Sequence, residues 1–363
     1  MSVSRRAFLS TSGAALAAAR LPAQDPTVDD EIRKLAESAP LSMRFAGSTA
    51  EECRRWQEAF SAKLKAALGP HDPPAAWKTT VRSAVELDDH RREELLLEAE
   101  GHPALPVYLL LPKKGEGPRP GVVALHGHGD HGHHPVAGRD DLPGVAASIE
   151  NARYDYGRQF ARRGYAVAVP CLTPFGQRLG KKEAYGNQDP CAVTFVRLQL
   201  LGKVLLAENI RDARWAVSLL AGHGRVDPQR IGCAGLSYGG RTSMFLAALE
   251  PRIRVAAVSG ALNVMQERVR GRYSCGAQVV PGLLGFGDVP EVGSLIAPRP
   301  CVWELGSKDG LIKPEWTAEA LARMRRAYAA LGARDALAVD LFEGGHRWNG
   351  EAAYPAFEKA LSP

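Results

Sequence analysis

Residues 232–242 of the sequence read GCAGLSYGGRT, and they decide how the chain is interpreted. Ser237 stands there between glycines in the pattern Gly-x-Ser-x-Gly. The apolar run before it, residues 231–235, predicts a buried strand, and residues 238–249 predict a helix. A serine on a sharp turn from strand to helix is typical of a nucleophile elbow, where small neighbours let the two elements approach closely. The stretch therefore predicts that Ser237 is a catalytic nucleophile.

A serine needs a base that takes its proton and an acid that orients the base. His346 stands in a glycine-rich loop after the last predicted strand and is the only histidine after His223, so it is the predicted base. Asp309 follows the preceding predicted strand, residues 301–305, and is the predicted acid. Glu304, inside that strand, is its rival. The chain order of serine, acid and histidine predicts an acyl-transfer triad.

Two backbone N–H groups are expected to stabilise the oxyanion of such a reaction. Tyr238, which follows the nucleophile, supplies one. The loop after an early predicted strand, LHGHGD at residues 125–130, supplies the other from His128, with Gly127 as the alternative. A cluster of histidines begins in this loop, without an HExxH pattern or a cysteine partner, so we predict no metal there. We interpret His126 as a residue that connects the loop to its neighbours. The cluster comprises His126, His128, His131, His133 and His134.

Short apolar runs alternate with helical patterns along the rest of the chain. This alternation predicts an α/β protein whose mostly parallel central sheet has about eight strands and helices on both faces. Residues 24–75 predict an N-terminal helical extension, and residues 76–363 predict one catalytic domain. Residues 198–220 predict a single long amphipathic helix.

The first 23 residues have the character of an export signal. Arg5 and Arg6 precede an alanine-rich apolar run that ends at Ala19, a pattern typical of the twin-arginine route. The run is shorter than the ~20 apolar residues that span a bilayer. Residues 1–23 therefore predict a signal peptide, cleaved after Ala19 or Ala23. We expect a periplasmic or secreted protein that does not associate with the membrane after cleavage.

Bulk composition excludes several partners and cofactors. The net charge of +6 includes three arginines of the first 23 residues, and no basic stripe with interleaved aromatic residues suggests nucleic-acid binding. The six cysteines show no CxxC spacing, which argues against a zinc ribbon or a redox motif. An oxidising compartment would permit a bridge such as Cys171–Cys191, or one that uses Cys275.

Four motifs together make the chain resemble the α/β-hydrolase superfamily, and within it the dienelactone-hydrolase-like and acetyl-xylan-esterase-like bacterial esterases. They are LHGHGDHG, GLSYGGRT, VPGLLGFGDVPEVGSLIAPRPCVWELGSKD and EGGH, and the resemblance covers roughly residues 75–360. Dienelactone hydrolases have a cysteine nucleophile where this chain has Ser237, which favours ordinary ester cleavage. Glucuronoyl esterases have a basic residue four positions after the nucleophile, where this chain has Arg241. Directly after the nucleophile, however, they carry an arginine where this chain has Tyr238. We interpret Arg241 as a residue that anchors its helix through an ion pair, with Asp212 as the candidate partner.

Long segments that follow the strands are expected to line the substrate crevice. Their aromatic, arginine and hydroxyl groups suit a polar ester, such as an acetylated or methylated sugar. The segments are residues 130–151, 173–188 and 263–293, and the candidate substrate-binding residues are Phe175, Arg178 and Tyr273.

The sequence thus predicts a serine carboxylic-ester hydrolase that forms an acyl-enzyme with short-chain or carbohydrate-linked esters and needs no cofactor. One alternative is a serine peptidase or amidase of the prolyl-oligopeptidase kind, although the N-terminal extension is too short for a propeller of at least four blades. Another is a non-catalytic or metal-binding protein that reuses the fold.

Overall fold

The computed structural model describes residues 25–113, 117–271 and 275–363. The predicted signal peptide, residues 1–23, and Tyr273 lie outside the described residues. Nine strands of the described chain form one sheet. They are β1 (Lys78–Glu86), β2 (His90–Glu98), β3 (Leu105–Pro112), β4 (Arg119–Leu125), β5 (Ala166–Pro170), β6 (Val226–Leu236), β7 (Ile253–Ser259), β8 (Cys301–Gly306) and β9 (Leu337–Phe342).

Eleven α-helices of the described chain accompany the sheet. No single one has the length and apolar character of a membrane span, and only α5 and α6 taken together, across a bend of 98°, reach that length and composition. The helices are α1 (Val28–Glu37), α2 (Ala50–Leu68), α3 (Val145–Ala152), α4 (Tyr156–Arg162), α5 (Pro190–Leu200), α6 (Leu205–Ala221), α7 (Tyr238–Leu249), α8 (Met265–Gly271), α9 (Val289–Ser294), α10 (Pro314–Ala330) and α11 (Ala353–Ala360).

The strand order is β1-β2-β3-β5-β4-β6-β7-β8-β9. The first three strands and the β3–β5 pair run antiparallel, and every pair from β5 through β4 to β9 is parallel. The predicted α/β class and mostly parallel sheet are confirmed, with nine strands instead of about eight. Strand β1 has no counterpart among the predicted strands, because its residues are exposed along nearly its whole length and it lacks an apolar run.

Helices cover both faces of the parallel strands. Strands β5 and β8 are buried throughout, as expected for parallel strands with covered faces. One face packs on α6 and α7 in the larger hydrophobic core, and the other packs on α4 and α11 in a smaller one. Because the parallel strands share one direction, their carboxyl ends meet at one edge, where loops can converge on a site.

The predicted single helix over residues 198–220 is wrong. The structure has two helices there, α5 and α6, which meet at 98°. Gly202 ends α5 with a positive φ of 67°, and the amide of Lys203 turns back to donate to the Leu198 carbonyl at 2.8 Å. The apolar pattern continues through this break because Leu200 and Leu201 are apolar although they are exposed, and the buried face of α6 follows them directly, so periodicity alone did not show it.

The N-terminal helices pack on the sheet-bearing part of the chain. Helix α2 begins with a capping box between Thr49 and Glu52. On its inner face, Phe60 and Leu64 are fully buried in the larger core. The Phe60 ring contacts the Phe286 ring, with centroids 5.5 Å apart. The predicted extension, residues 24–75, thus contributes core side chains, while its boundary as a unit stays a prediction.

Candidate active site

Ser237 occupies the turn between β6 and α7 at the carboxyl edge of the sheet. Its backbone has φ 63° and ψ −122°, a conformation that L-residues rarely adopt. Its amide donates to the Ser259 carbonyl at 2.9 Å. A Cβ on Gly239 would lie 1.8 Å from the Leu125 oxygen, and one on Gly235 would lie 2.3 Å from Gly239. Only glycine fits at either position, so these two residues allow the close approach of strand and helix.

Asp309 and His346 meet across two neighbouring loops. His346 Nδ1 lies 2.6 Å from Asp309 Oδ2, and the Asp309 side chain is almost fully buried. The loops lie close because the Lys308 amide donates to the Gly344 carbonyl at 2.8 Å. A Cβ on Gly306 would lie 2.4 Å from the Gly345 carbonyl oxygen, so glycine is required at this crossing. The structure thus brings the predicted acid and base together.

The remaining imidazole nitrogen, His346 Nε2, is buried and has no hydrogen-bond partner among the described residues. His346 and Ser237 line the same cavity, of about 290 Å³. Gly260 supports the ring from behind, since a Cβ there would lie 2.8 Å from His346 Cε1. With Nδ1 held by Asp309, Nε2 is the nitrogen left to accept a proton in this cavity.

Tyr154 bears on which amide could act as the second predicted oxyanion donor. The Gly127 amide donates to the Tyr154 hydroxyl at 2.6 Å, so this N–H group is already engaged. The amide of His128 is therefore the better candidate of the two predicted from the loop. The Tyr238 amide lies in the first turn of α7, where N–H groups lack partners within the helix. Tyr154 itself was not predicted from the sequence.

His126 ties the oxyanion loop to the next strand connection, as predicted. The Leu172 amide donates to His126 Nε2 at 2.8 Å, so Nδ1 carries the proton and donates to the Gly127 carbonyl at 2.7 Å. Burial lowers the pKa of His126 to about 3, which keeps the ring neutral. Both ring nitrogens of His126 thus form hydrogen bonds with backbone groups.

The other histidines of the cluster point to different neighbours. His133 is buried between the rings of Tyr108 and His134, each with its centroid 4.8 Å away, and burial lowers its pKa. His134 Nδ1 lies 3.0 Å from the Tyr108 hydroxyl. His131 lines the cavity that holds Ser237 and His346. The cluster therefore serves packing and the cavity wall at separate places.

A second cavity, of about 240 Å³, lies on the other side of Ser237 and shares Ser237 and His128 with the first. Two of the three segments predicted to line the crevice contribute to these cavities. Segment 130–151 supplies His131, Gly132, Pro135, Ser148 and Asn151 to the first cavity, and segment 263–293 supplies Asn263, Arg268, Cys275 and Gln278 to the second.

The third segment, residues 173–188, packs beneath the site. The ring of Phe175 is buried against the rings of His126, His128 and Tyr238. The Arg178 guanidinium pairs with the fully buried carboxylate of Asp212. Neither Phe175 nor Arg178 lines the two cavities beside Ser237. Phe175 thus packs on the oxyanion loop and Arg178 is held by Asp212, and their contact with substrate stays a prediction.

The predicted ion pair between Arg241 and Asp212 is wrong. Asp212 instead pairs with Arg178 and with its own neighbour in α6, Arg211. Arg241 anchors α7 in another way, by donating to the carbonyl oxygen and the side-chain oxygen of Asn263. Its full burial lowers the guanidinium pKa to about 9. The sequence did not show this partner, because Asn263 carries no charge.

Glu304, the rival acid, has a different position and task. Its carboxylate accepts from the amides of Gly350, at 2.7 Å, and Asn349, at 3.2 Å. It thereby holds the chain just after His346. Burial raises the pKa of Glu304 to about 7. Glu304 and Gly260 both support the His346 loop, and the only sequence signal for this role was their position, Glu304 inside β8 and Gly260 directly after β7.

All six cysteines are buried and free. The Cys171 thiol lies 3.1 Å from the Phe175 carbonyl and is not bonded to Cys191, one of the pairings that the sequence left open. Cys191 lies beside Cys275, the other cysteine that the sequence left open as a partner.

No family model matches the sequence. A curated protein of Bacillus subtilis (strain 168), "Putative hydrolase YtaP", is 31% identical over 272 residues, which cover 72% of this chain and 84% of that protein. Solved structures similar to the chain include a "putative acetyl xylan esterase" of Bacteroides fragilis NCTC 9343, at 17% identity and a TM-score of 0.73, with 89% of this chain and 84% of that one covered. A glucuronoyl esterase of Solibacter usitatus is 16% identical, with a TM-score of 0.64 and coverage of 87% and 94%.

Proposed function

The chain belongs to the α/β-hydrolase superfamily, and from that premise we propose that it is a serine carboxylesterase. The resemblance inferred from the sequence and the assignment to hydrolases are confirmed by the Bacillus relative and by the shared fold. One observation carries the finer proposal. Ser237, on its strained turn, lines a cavity together with His346, whose other nitrogen is held by Asp309.

The reaction uses these groups in two half-reactions. Ser237 Oγ attacks the ester carbonyl carbon while His346 Nε2 takes its proton. The amides of Tyr238 and His128 donate to the oxyanion. The C–O bond to the alcohol then breaks, and His346 returns the proton to the leaving oxygen. In the second half, water attacks the acyl-enzyme with His346 as base, and the acid and the free serine are released. Asp309 orients the imidazole and stabilises its charged form.

The two cavities suggest short-chain or carbohydrate-linked esters. With volumes of about 290 and 240 Å³, they both adjoin Ser237 and are of a size that suits a short acyl group and a small alcohol. Polar side chains line both, among them Asn151 in the first and Asn263 and Gln278 in the second. Hydroxyl-rich alcohols such as sugars can satisfy groups of this kind by hydrogen bonding. The two structural relatives named for sugar esters support this choice of substrates.

The test compares hydrolysis of p-nitrophenyl acetate, butyrate and octanoate by the wild type and by Ser237→Ala. Loss of the nucleophile is expected to lower kcat by ~10⁴-fold or more. Ser243→Ala is a matched control, because Ser243 is buried in the same helix and its hydroxyl has no partner among the described residues. Acetate is expected to be turned over faster than octanoate, and acetylated xylo-oligosaccharides are the next substrates.

The opposite results are equally informative. Equal activity in Ser237→Ala and wild type would remove Ser237 from the mechanism. Faster cleavage of an aminoacyl p-nitroanilide than of every ester would favour the peptidase alternative. Trapping completes the test, since a fluorophosphonate is expected to add to Ser237 in the wild type and in Ser243→Ala.

We also propose that residues 1–23 direct export by the twin-arginine route, as the Arg5–Arg6 pair before the apolar run suggests. The measurement is cell fractionation of a bacterium that expresses the full chain. The double variant Arg5→Lys, Arg6→Lys is expected to stay in the cytoplasm, while Arg20→Lys is exported like the wild type. Export of the double variant would contradict the proposal.

A further inference from the structure

Three soft ligand atoms converge at the wall of the second cavity. The imidazole of His128 and the thiols of Cys191 and Cys275 place one ligand atom each within 4.8 Å of the other two. Among the described residues this is the group whose donor atoms lie close enough to share one ion. Its members come from three separate elements, which is why no spacing in the sequence revealed it.

Packing around the three residues brings them together. Cys191 lies in the first turn of α5, and Cys275 precedes a short 3-10 turn, Gly276–Gln278. That turn sits against α5, since a Cβ on Gly276 would lie 2.5 Å from the Phe195 ring. The ring of His128 is held between Phe175 and Tyr238, with centroids 5.3 and 5.1 Å away. Because the three elements pack together, the ligand atoms are already close to one another without a bound ion.

The donor set matches thiophilic metal ions. Two thiolates and one imidazole are ligands that zinc accepts in tetrahedral sites, at bonds of ~2.0–2.3 Å. Tetrahedral geometry with such bonds separates the ligand atoms by roughly 3.3–3.8 Å. The spread of at most 4.8 Å in the structure requires only a small contraction. A disulfide between the two cysteines would leave the convergence of the imidazole unexplained.

We propose that His128, Cys191 and Cys275 form a binding site for a soft divalent cation, with Zn²⁺ as the probe. Both His128 and Cys275 line the cavity beside Ser237. With three protein ligands, a tetrahedral ion keeps one position for water or a small ligand from that cavity. This site revises the expectation from the sequence that no metal is bound and that no cysteine accompanies the histidine cluster. It does not depend on the proposed esterase activity.

The experiment uses the full chain, reduced and stripped of metal, under anaerobic conditions. Titration with Zn²⁺ in competition with a chromophoric chelator is expected to give one ion per chain. Co²⁺ is expected to show a thiolate-to-cobalt charge-transfer band in the near ultraviolet and strong visible bands of a tetrahedral ion. Cys191→Ser is expected to weaken Zn²⁺ binding more than the ~10–100-fold that loss of an outer-shell partner costs. Cys53→Ser, another buried cysteine, is the control that leaves binding unchanged.

Four results would overturn the site, three of them from the binding measurements. The reduced wild type binds no stoichiometric Zn²⁺, or its cobalt complex lacks the thiolate band, or Cys191→Ser binds as tightly as Cys53→Ser. A Cys191–Cys275 disulfide that persists under reduction, detected by peptide mass, would also replace the metal site. Ester hydrolysis is measured separately on the same samples, so loss of that activity and loss of metal binding are distinguishable.

Discussion

At the scale of single residues, backbone conformation controls the site as much as side-chain chemistry does. Ser237 is held at φ 63° by the elbow, and Gly260 at φ 58° lies directly behind His346. Such a backbone conformation costs an L-residue about 1–3 kcal/mol, so Ser237 is strained, whereas glycine at position 260 adopts its positive φ without this cost. The surrounding strands β6 and β7 stabilise both residues in place.

Substitution of Gly260 by alanine is expected to displace His346, the proposed catalytic base. The new Cβ would lie 2.8 Å from His346 Cε1, so the ring must move away. Misplacement of a catalytic group by about 1 Å can cost 10²-fold, and we expect kcat for p-nitrophenyl acetate to fall by about that factor. Gly222→Ala is the control, because its nearest contact is an ordinary 3.4 Å. Unchanged kcat in Gly260→Ala would contradict the assigned position of His346.

The raised pKa of Glu304 predicts a pH dependence of stability. Its carboxyl has a pKa of about 7 in the folded chain, against an ordinary value of 4.5. Folding favours the neutral form of the carboxyl group. The contribution of Glu304 to the free energy of unfolding is therefore full below pH 4.5 and is lost as the pH rises through 7. The stability of the wild type relative to Glu304→Gln is expected to fall by up to about 3 kcal/mol between pH 4.5 and pH 8.

The measurement is chemical denaturation of both chains at several pH values. Glu351→Gln, at an exposed acid of the following turn, is the control and is expected to follow the wild type. Parallel stability profiles of wild type and Glu304→Gln would show that Glu304 does not titrate in this range.

At the scale of elements, the break between α5 and α6 depends on one glycine. Gly202 has φ 67°, is exposed, and a Cβ there would meet nothing within 4 Å. Gly202→Ala is therefore expected to lower the free energy of unfolding by about 1–2 kcal/mol through backbone strain alone. Gly224, also exposed and uncrowded but without a positive φ, is the matched control. Equal stability of the two alanine variants in urea denaturation would argue against the strain.

Burial explains which elements and site residues could be predicted from the sequence. Strands such as β8 are short apolar runs between polar ends, so the limits of these strands could be predicted. Once the strands were located, the residues that follow them could be identified as Ser237, Asp309 and His346. Parallel strand order then explains why the three meet at one edge. Strand β1 could not be predicted, because it is exposed and lacks an apolar period.

Contacts between distant elements could not be predicted. Arg241 meets Asn263, and His128 meets Cys191 and Cys275, only because separate loops pack side by side. Neither charge pairing nor motif spacing shows such neighbours. The hydrogen bond from the Gly127 amide to the Tyr154 hydroxyl is a further contact between separate elements that could not be predicted. The roles of the triad and of the oxyanion donors remain predictions for experiment.

At the scale of the whole molecule, the N-terminal helix α2 is part of the main core. Phe60 of α2 is fully buried against Trp56 and Phe286, and Phe286 belongs to the segment that lines the second cavity. Phe60→Ala is expected to lower the free energy of unfolding by ~3–5 kcal/mol in denaturant titration. Glu58→Ala, on the exposed side of α2, is expected to change it by less than ~0.5 kcal/mol. A small effect of Phe60→Ala would mean that α2 folds apart from the sheet.

The exposed edge strand β1 has a consequence for how molecules of this protein meet each other. A free strand edge is a template on which a second chain can add, and this is a route to aggregation. Here the outer strand carries Lys78, Arg82 and Glu86, and a bulge between Val81 and Ser83 interrupts its regular pairing. Charge and bulge both discourage addition of a further strand. The least buried strand of the sheet thus helps to keep neighbouring copies from joining edge to edge.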